Sequence, residues 1–395
     1  MLKIGLFSRL CFAMQKFLVF LCPFLRLYLI GVTFMKKFLG VIAAVLSVAI
    51  IFVACSYGRN NNENTIKNNE NNTKLSIVTT IFPEYDWVRQ ILGENQANVD
   101  LTMLLDKGVD LHSYQPSADD MVKVSKCDLF IYVGGESDTW VDDALKSARN
   151  KNMKVINLLD VLGNSVKEEE QVEGMQAEEE EEEGEEEGPE YDEHVWLSLK
   201  NAKTLCSSIA DALCEIDSKN ANVYKKNLNE YTKNLDALDK EYQQAVNGAK
   251  YDTLVFGDRF PFRYMVDDYS LKYYAAFVGC SAETEASFET IKFLANKVDK
   301  LGVTTVLTIE DPKHKIAQTV VENTKEKNQK ILALNSMQSV TSDDVKNGET
   351  YLNVMQSNLD VLKQDLNKIR HYGTDCMQKF SCRLRQHSCK KQYKF

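Results

Sequence analysis

The chain has 395 residues, 44% hydrophobic and 10% aromatic, with 47 basic against 57 acidic side chains. A composition this rich in core-forming residues excludes disorder throughout. The charge is uneven: residues 1–55 carry six basic and no acidic residues, 368–395 carry eight basic and one acidic, and the middle, 56–367, holds 33 basic and 56 acidic, a net of −23. That middle has no basic stripe for a phosphate backbone, which argues against nucleic acid as a partner.

In chain order, residues 35–54 read as a secretory leader: Lys36 and Lys37 precede an uncharged apolar run ending in small residues before Cys55. The F-V-A-C ending resembles a bacterial lipobox, with Cys55 as the lipidated residue. An uncleaved membrane anchor is the alternative, because the run is close to the ~20 residues that a span needs. Met35 is then the natural start. Residues 1–34, broken by Arg9, Lys16, Pro23 and Arg26, read as an over-extended start or an extra membrane segment. Residues 55–74 are Asn-rich and nearly free of apolar side chains, so they are expected to form a flexible tether. Either leader reading places the body outside the cytoplasm, on the outer face of the membrane.

From Leu75, short apolar runs alternate with helical patterns. Strands are expected at Leu75–Ile81, Val99–Leu105, Cys127–Val133 and Met153–Leu159, with helices near 84–93, 117–126 and 138–149. Ser117 and Asp120 form a capping-box pattern for the second of these helices. Residues 168–193 hold sixteen acidic residues and no basic one, a run expected to be a disordered loop. Across 218–247, Tyr224, Leu228, Tyr231, Leu235, Leu238, Tyr242 and Ala245 repeat at alternate spacings of four and three, the signature of one long helix. Strands return at Thr253–Phe256, Tyr273–Val278, Val303–Ile309 and Lys330–Leu334, with helices near 260–268, 286–300, 313–326 and 348–366. The fold class is therefore α/β: an N-terminal lobe at 75–217 and a C-terminal lobe at 248–367, each with a mostly parallel sheet flanked by helices, joined by the rigid helix 218–247. The tail 368–395 shares no pattern with the body and is expected to be disordered; its Cys382, His387 and Cys389 fit no zinc spacing.

Ligand groups in open α/β lobes gather beyond the C-terminal ends of the strands. His112 in D-L-H-S-Y-Q-P-S follows the second strand, and His194 in Y-D-E-H-V-W-L-S stands where the acidic run meets a helix. In the second lobe Asp258, Glu283, Glu285 and Glu310 follow three strands. Two imidazoles and four carboxylates make a plausible divalent-cation site, suited to zinc and tolerant of manganese or iron(II). Taken singly, each residue also has an ordinary structural use: Glu285 and Glu310 at helix starts, Asp258 paired with Arg259 or Arg263, His314 as a solvated helix residue. Cys127, Cys206, Cys214 and Cys280, the body's cysteines, read as buried free thiols.

At D-L-H-S-Y-Q-P-S, D-E-H-V-W-L-S, F-G-D-R-F-P-F-R-Y and G-E-T-Y-L-N-V-M the sequence resembles the TroA-like metal-binding solute-binding lipoproteins (cluster A-I) of bacterial zinc/manganese ABC transporters, nearest the zinc-uptake branch, from about Leu75 to Leu366. The resemblance implies a metal site in the cleft between the lobes. It places the family's first two ligands on His112 and His194 and the third near Gly257–Arg259, where Asp258 is the credible donor. The fourth varies in the family, and Met337, Gln338 and Ser339 supply no acid or imidazole there, so Glu310, Glu283, Glu285 or water is left to complete the shell. It also implies a monomer that binds zinc, or alternatively manganese, and delivers it to a membrane permease with its cytoplasmic ATPase. A metal-dependent hydrolase and a surface adhesin are the competing readings. HExxH and GxSxG are both absent, which weighs against the hydrolase. Metal binding is expected to weaken below the histidine pKa, ~6.5 when unperturbed.

Overall fold

The computed structural model describes residues 74–176, 190–281, 285–310 and 313–367. The N-terminal extension, leader, Cys55, tether up to residue 73, the centre of the acidic run, Glu283 and the basic tail lie outside the described residues. In the first sheet β1 (Leu75–Thr79) lies between β2 (Val99–Met103) and β3 (Leu129–Tyr132), and β4 (Lys154–Asn157) forms the far edge beside β3. All pairings are parallel, with Ile77 opposite both Leu101 and Leu129. Ile77, Leu129, Phe130 and Ile131 are wholly buried, as a strand covered on both faces requires.

The second sheet repeats this order. β5 (Thr253–Val255) pairs with β6 (Lys272–Tyr274), and β7 (Thr305–Thr308) pairs with β8 (Lys330–Ala333). A parallel bridge from Phe256 to Leu307 joins the two pairs, so the spatial order becomes β6-β5-β7-β8, matching β2-β1-β3-β4.

In the first lobe the helices are α1 (Phe82–Leu92), α2 (Ala118–Lys126), α3 (Val141–Lys146), α4 (Leu158–Leu162) and α5 (Leu199–Ile216). The expected capping box opens α2: Ser117 Oγ accepts from Asp120 N at 3.2 Å, and Ser117 N donates to Asp120 Oδ2 at 3.0 Å. The long helix is α6 (Ala221–Asn247), 27 residues and so ~40 Å at 1.5 Å per residue. Tyr224, Tyr231, Leu235, Leu238 and Tyr242 of the predicted stripe are its buried residues. Then follow α7 (Arg263–Tyr269), α8 (Phe288–Leu301), α9 (Lys315–Asn323), α10 (Ser342–Lys346) and α11 (Tyr351–Asn367).

α6 is tied to both lobes. Asn227 Nδ2 donates to Ile91 O at 2.9 Å, while Tyr242 OH donates to Met355 O at 2.6 Å and Tyr269 OH to Asp239 Oδ1 at 2.9 Å. α11 returns to the first lobe: Tyr351 N donates to Asp86 Oδ2 at 2.9 Å, its ring packs edge-on to Trp87 with centroids 5.2 Å apart, and its OH reaches Trp196 O at 2.6 Å.

The acidic run departs from expectation at both ends. Glu169 N donates to Glu190 O and Asp192 N to Lys167 O, both at 2.9 Å, so the two ends pair as a short ribbon. Beyond it the chain crosses the second lobe, where Met175 is buried and Gln176 N donates to Ala276 O at 2.9 Å. Basic groups of that lobe hold the first acids: Arg263 pairs with Glu170, and Lys297 with Glu173 at 2.9 Å. Self-repulsion predicts disorder only where such cations are lacking.

Candidate metal centre

After β2 the chain makes one short 3-10 turn, Leu111–Ser113. Asp110 opens the turn, its Oδ1 accepting from His112 N at 3.0 Å, and buried Leu111 anchors it. The His112 ring is held through Nδ1, which lies 2.9 Å from Ser137 Oγ and 3.5 Å from Glu193 Oε2. Ser137 sits in the turn after β3, and its N–H donates to Glu193 Oε1 at 2.9 Å. Gly135, at φ +82°, makes room for that carboxylate: a Cβ there would stand 2.3 Å from Glu193 Oε1.

His194 is wholly buried at the start of the turn Val195–Leu197. Asp192 Oδ1 lies 2.8 Å from its backbone N and 2.9 Å from Nδ1. A carboxylate at Nδ1 keeps the proton there and leaves the lone pair on Nε2. The two Nε2 atoms then converge at 3.1 Å. Two imidazoles on a tetrahedral zinc at 2.0–2.1 Å would stand about 3.3 Å apart, so the rings need almost no movement to share a cation.

Cys280 lies beside the two imidazoles. One ligand atom from each of His112, His194 and Cys280 lies within 4.8 Å of the others. Cys280 N donates to Glu169 Oε1 at 2.9 Å, so the ordered end of the acidic run positions this residue. Gly279 lets the backbone pass against His194, since a Cβ would stand 3.1 Å from its Nδ1. Opposite, Gln338 Nε2 lies 3.3 Å from His194 Nε2, while Gln338 Oε1 is buried without a hydrogen-bond partner among the described residues. A half-turn of this amide exchanges nitrogen for oxygen and sets an oxygen donor beside the imidazoles.

The acids singled out in the second lobe are placed otherwise. Asp258 folds back on its own sheet: Oδ2 accepts from Thr308 Oγ1 at 2.6 Å and Oδ1 from Arg259 N at 2.9 Å. Glu310 braces the Ser336–Ser339 loop, accepting from Ser336 N at 2.7 Å, Ser336 Oγ at 2.8 Å and Ser339 Oγ at 3.2 Å. Glu285 is exposed. None of the three belongs to the cluster that unites the two histidines with Cys280. Arg259, beside Asp258, reaches across to the first lobe and pairs with Asp110.

Burial, with His194 adjacent, pushes the His112 imidazole down to about 3, so it is a neutral donor far below the ordinary histidine range expected from sequence. Burial pushes Glu169 and Glu193 up. Burial raises the Cys280 thiol as well, reinforced by the charges of Glu169, Asp192 and Glu193. Burial also acts to raise Asp110, but the Arg259 guanidinium outweighs it and holds the carboxyl low. The surroundings are thus rich in carboxylate and short of positive charge, apart from Arg259.

The structure brings together both histidines singled out from the sequence and sets beside them residues not singled out there: Cys280, Gln338, Ser137 and the acids Asp192 and Glu193. Cys280 did carry a signal: it follows β6 as His112 follows β2, and β6 and β2 occupy the same place in their sheets.

Fold and geometry together define a two-lobed α/β protein in which two imidazoles and a thiol stand close enough together to hold a metal ion. The family described as "Zinc-uptake complex component A periplasmic" (ZnuA) matches residues 77–365. The zinc-binding lipoprotein AdcA of Streptococcus pneumoniae serotype 4 is 33% identical over 331 residues, covering 84% of this chain and 61% of that protein. The high-affinity zinc uptake system protein ZnuA of Bacillus subtilis (strain 168) is 28% identical over 295 residues, 74% of this chain and 88% of that one. The crystal structure of the Zn(II)-bound ZnuA-like domain of S. pneumoniae AdcA superimposes with a TM-score of 0.58 at 30% identity, covering 75% of this chain and all of that one. The chain belongs to the ZnuA family. It spans about three fifths of the length of the AdcA relatives.

Proposed function

We propose that this protein is an extracytoplasmic receptor that binds zinc and delivers it to the membrane permease of an ABC importer. The observation that carries the reading is the pair of buried imidazoles, Nε2 to Nε2 at 3.1 Å, each held through Nδ1 by a carboxylate or hydroxyl. Such rings are pre-set as ligands, with the supporting groups fixing tautomer and orientation. The names of the relatives, a zinc-binding lipoprotein and a zinc uptake protein, support the same cargo. The protein works as a monomer, tethered through lipid on Cys55, and performs no turnover. The acids nearest the site support its reading as a receptor, because Asp192, Glu193 and Glu169 hold His194, Ser137 and Cys280 in place. The acidic run raises the local concentration of cations near His194.

Zinc titration of the wild type against His112→Ala and His194→Ala tests this. Each variant is expected to lose more affinity than the about 10–100-fold that removal of a supporting group costs. Wild-type affinity in both variants would place the site elsewhere. Zinc-dependent hydrolysis of ester or phosphoester substrates would show turnover instead.

A further inference from the structure

Resting on that reading, we propose that Cys280 Sγ is the third protein ligand, taking the role expected of Asp258, and that its thiolate selects zinc over manganese. The geometry has two sides. Among the described residues, Cys280 is the second-lobe residue of the cluster whose donor atom shares one small space with both histidines. Asp258, which sequence nominates, has its two oxygens engaged by Thr308 and its own loop.

Cys280 is also placed by contacts unlike those of an idle thiol. Its backbone N–H is fixed by Glu169, and Gly279 before it fits against the His194 ring. Cys127 and Cys206 are buried where Cys280 is half-buried, and neither joins a cluster of donors among the described residues. Glu169, which accepts from the Cys280 N–H, and Asp192, which holds His194, place negative charge beside the site, and such charge favours a bound dication. On binding, the S–H bond breaks, the sulfur pair forms the metal–sulfur bond, and the proton leaves to solvent; nothing is oxidised or reduced. Two neutral imidazoles, one thiolate and a dication total +1, which the neighbouring carboxylates offset. A sulfur donor favours soft or borderline cations, while manganese(II) prefers carboxylate, carbonyl and water oxygen. The His2Cys set therefore supplies discrimination that His2Asp would not.

The test is a cobalt(II) titration of the full chain under reducing conditions, followed by absorption spectroscopy, beside zinc and manganese titrations. The wild type is expected to show a near-ultraviolet sulfur-to-cobalt charge-transfer band. Cys280→Ser should lose it while keeping the wild-type circular dichroism, and Cys127→Ser should keep it. Cys280→Asp should narrow the ratio of zinc to manganese affinity by about tenfold or more, the scale of a single lost metal-site interaction. A wild type that binds cobalt through His112 and His194 without the band, or a Cys280→Ser variant that retains it, overturns the thiolate and leaves the receptor standing. Failure of the wild type to bind cobalt, zinc or manganese overturns both readings.

Discussion

The two sheets share one strand order, and in both the strand ends are put to three different uses. The edge strands β2 and β6 each lead to a residue of the metal cluster, His112 and Cys280. The central strands β1 and β5 each lead to an acid that folds back into its own lobe. Glu84 Oε2 accepts from Thr80 N at 2.8 Å and Ile81 N at 3.3 Å, and Asp258 accepts from Thr308 and Arg259. β3 and β7 lead to supporting groups: Ser137 for the His112 ring, and Glu310 for the loop that carries Gln338. A strand end near the cleft is thus insufficient for metal ligation. A donor must also keep a lone pair free, and its neighbours decide that.

The largest effect that would sharpen this contrast is at Asp192. Its Oδ1 accepts from the His194 backbone and holds the His194 ring at Nδ1. Asp192→Ala releases Nδ1, so Nε2 no longer holds a fixed lone pair toward His112. Zinc affinity is expected to fall about 10–100-fold, with partial recovery in Asp192→Asn, whose oxygen can still accept from Nδ1. Calorimetric titration checks this, and an unchanged affinity would mean that preorganisation of His194 contributes little.

Glu84 tests the other kind of strand end through stability. Burial, helped by the charge of Asp138, pushes its carboxyl up to about 8. A folded-state value above the unfolded one means that its favourable contribution is complete below about 4.5 and is lost as pH rises toward 8. The thermal midpoint of the metal-free protein should therefore decline across that window. Glu84→Gln, which cannot ionise, should flatten the decline by an amount on the order of a few kcal/mol at pH 9. Parallel pH profiles for the two proteins would show that the Glu84 carboxyl ionises alike in the folded and unfolded chains.

Most of the fold was legible because it rests on local periodicity. The stripe from Tyr224 to Tyr242 gave α6 almost to the residue, and the strand–helix alternation gave both parallel sheets. The histidines were legible because their motifs are distinctive. Cys280 was not, since a thiol in an apolar stretch looks the same whether it is inert or a ligand. Its nearness to the two histidines distinguishes the two, and the approach of Gly279 to His194 beside it joins residues 85 positions apart. The ordered ends of the acidic run were hidden for a similar reason. Their partners Arg263 and Lys297 lie in the other lobe, beyond any window read along the chain.

Asp258 is where comparison and sequence expectation part most sharply, and it carries the smallest expected effect on binding. If the acid is internal to its lobe, Asp258→Ala leaves the Thr308 hydroxyl and the Arg259 N–H without their acceptor. That should lower stability by about 1–3 kcal/mol, the range for a polar group stripped of its partner. Zinc affinity should change by less than the about tenfold that marks loss of a supporting group. Pairing a chemical melt with a zinc titration on the same sample separates the two roles. A large loss of affinity with unchanged stability would make Asp258 a ligand after all, and β1 and β5 would no longer be alike. The opposite pattern would leave the donor set as His112, His194 and Cys280, with the acids of the central strands holding the walls in place.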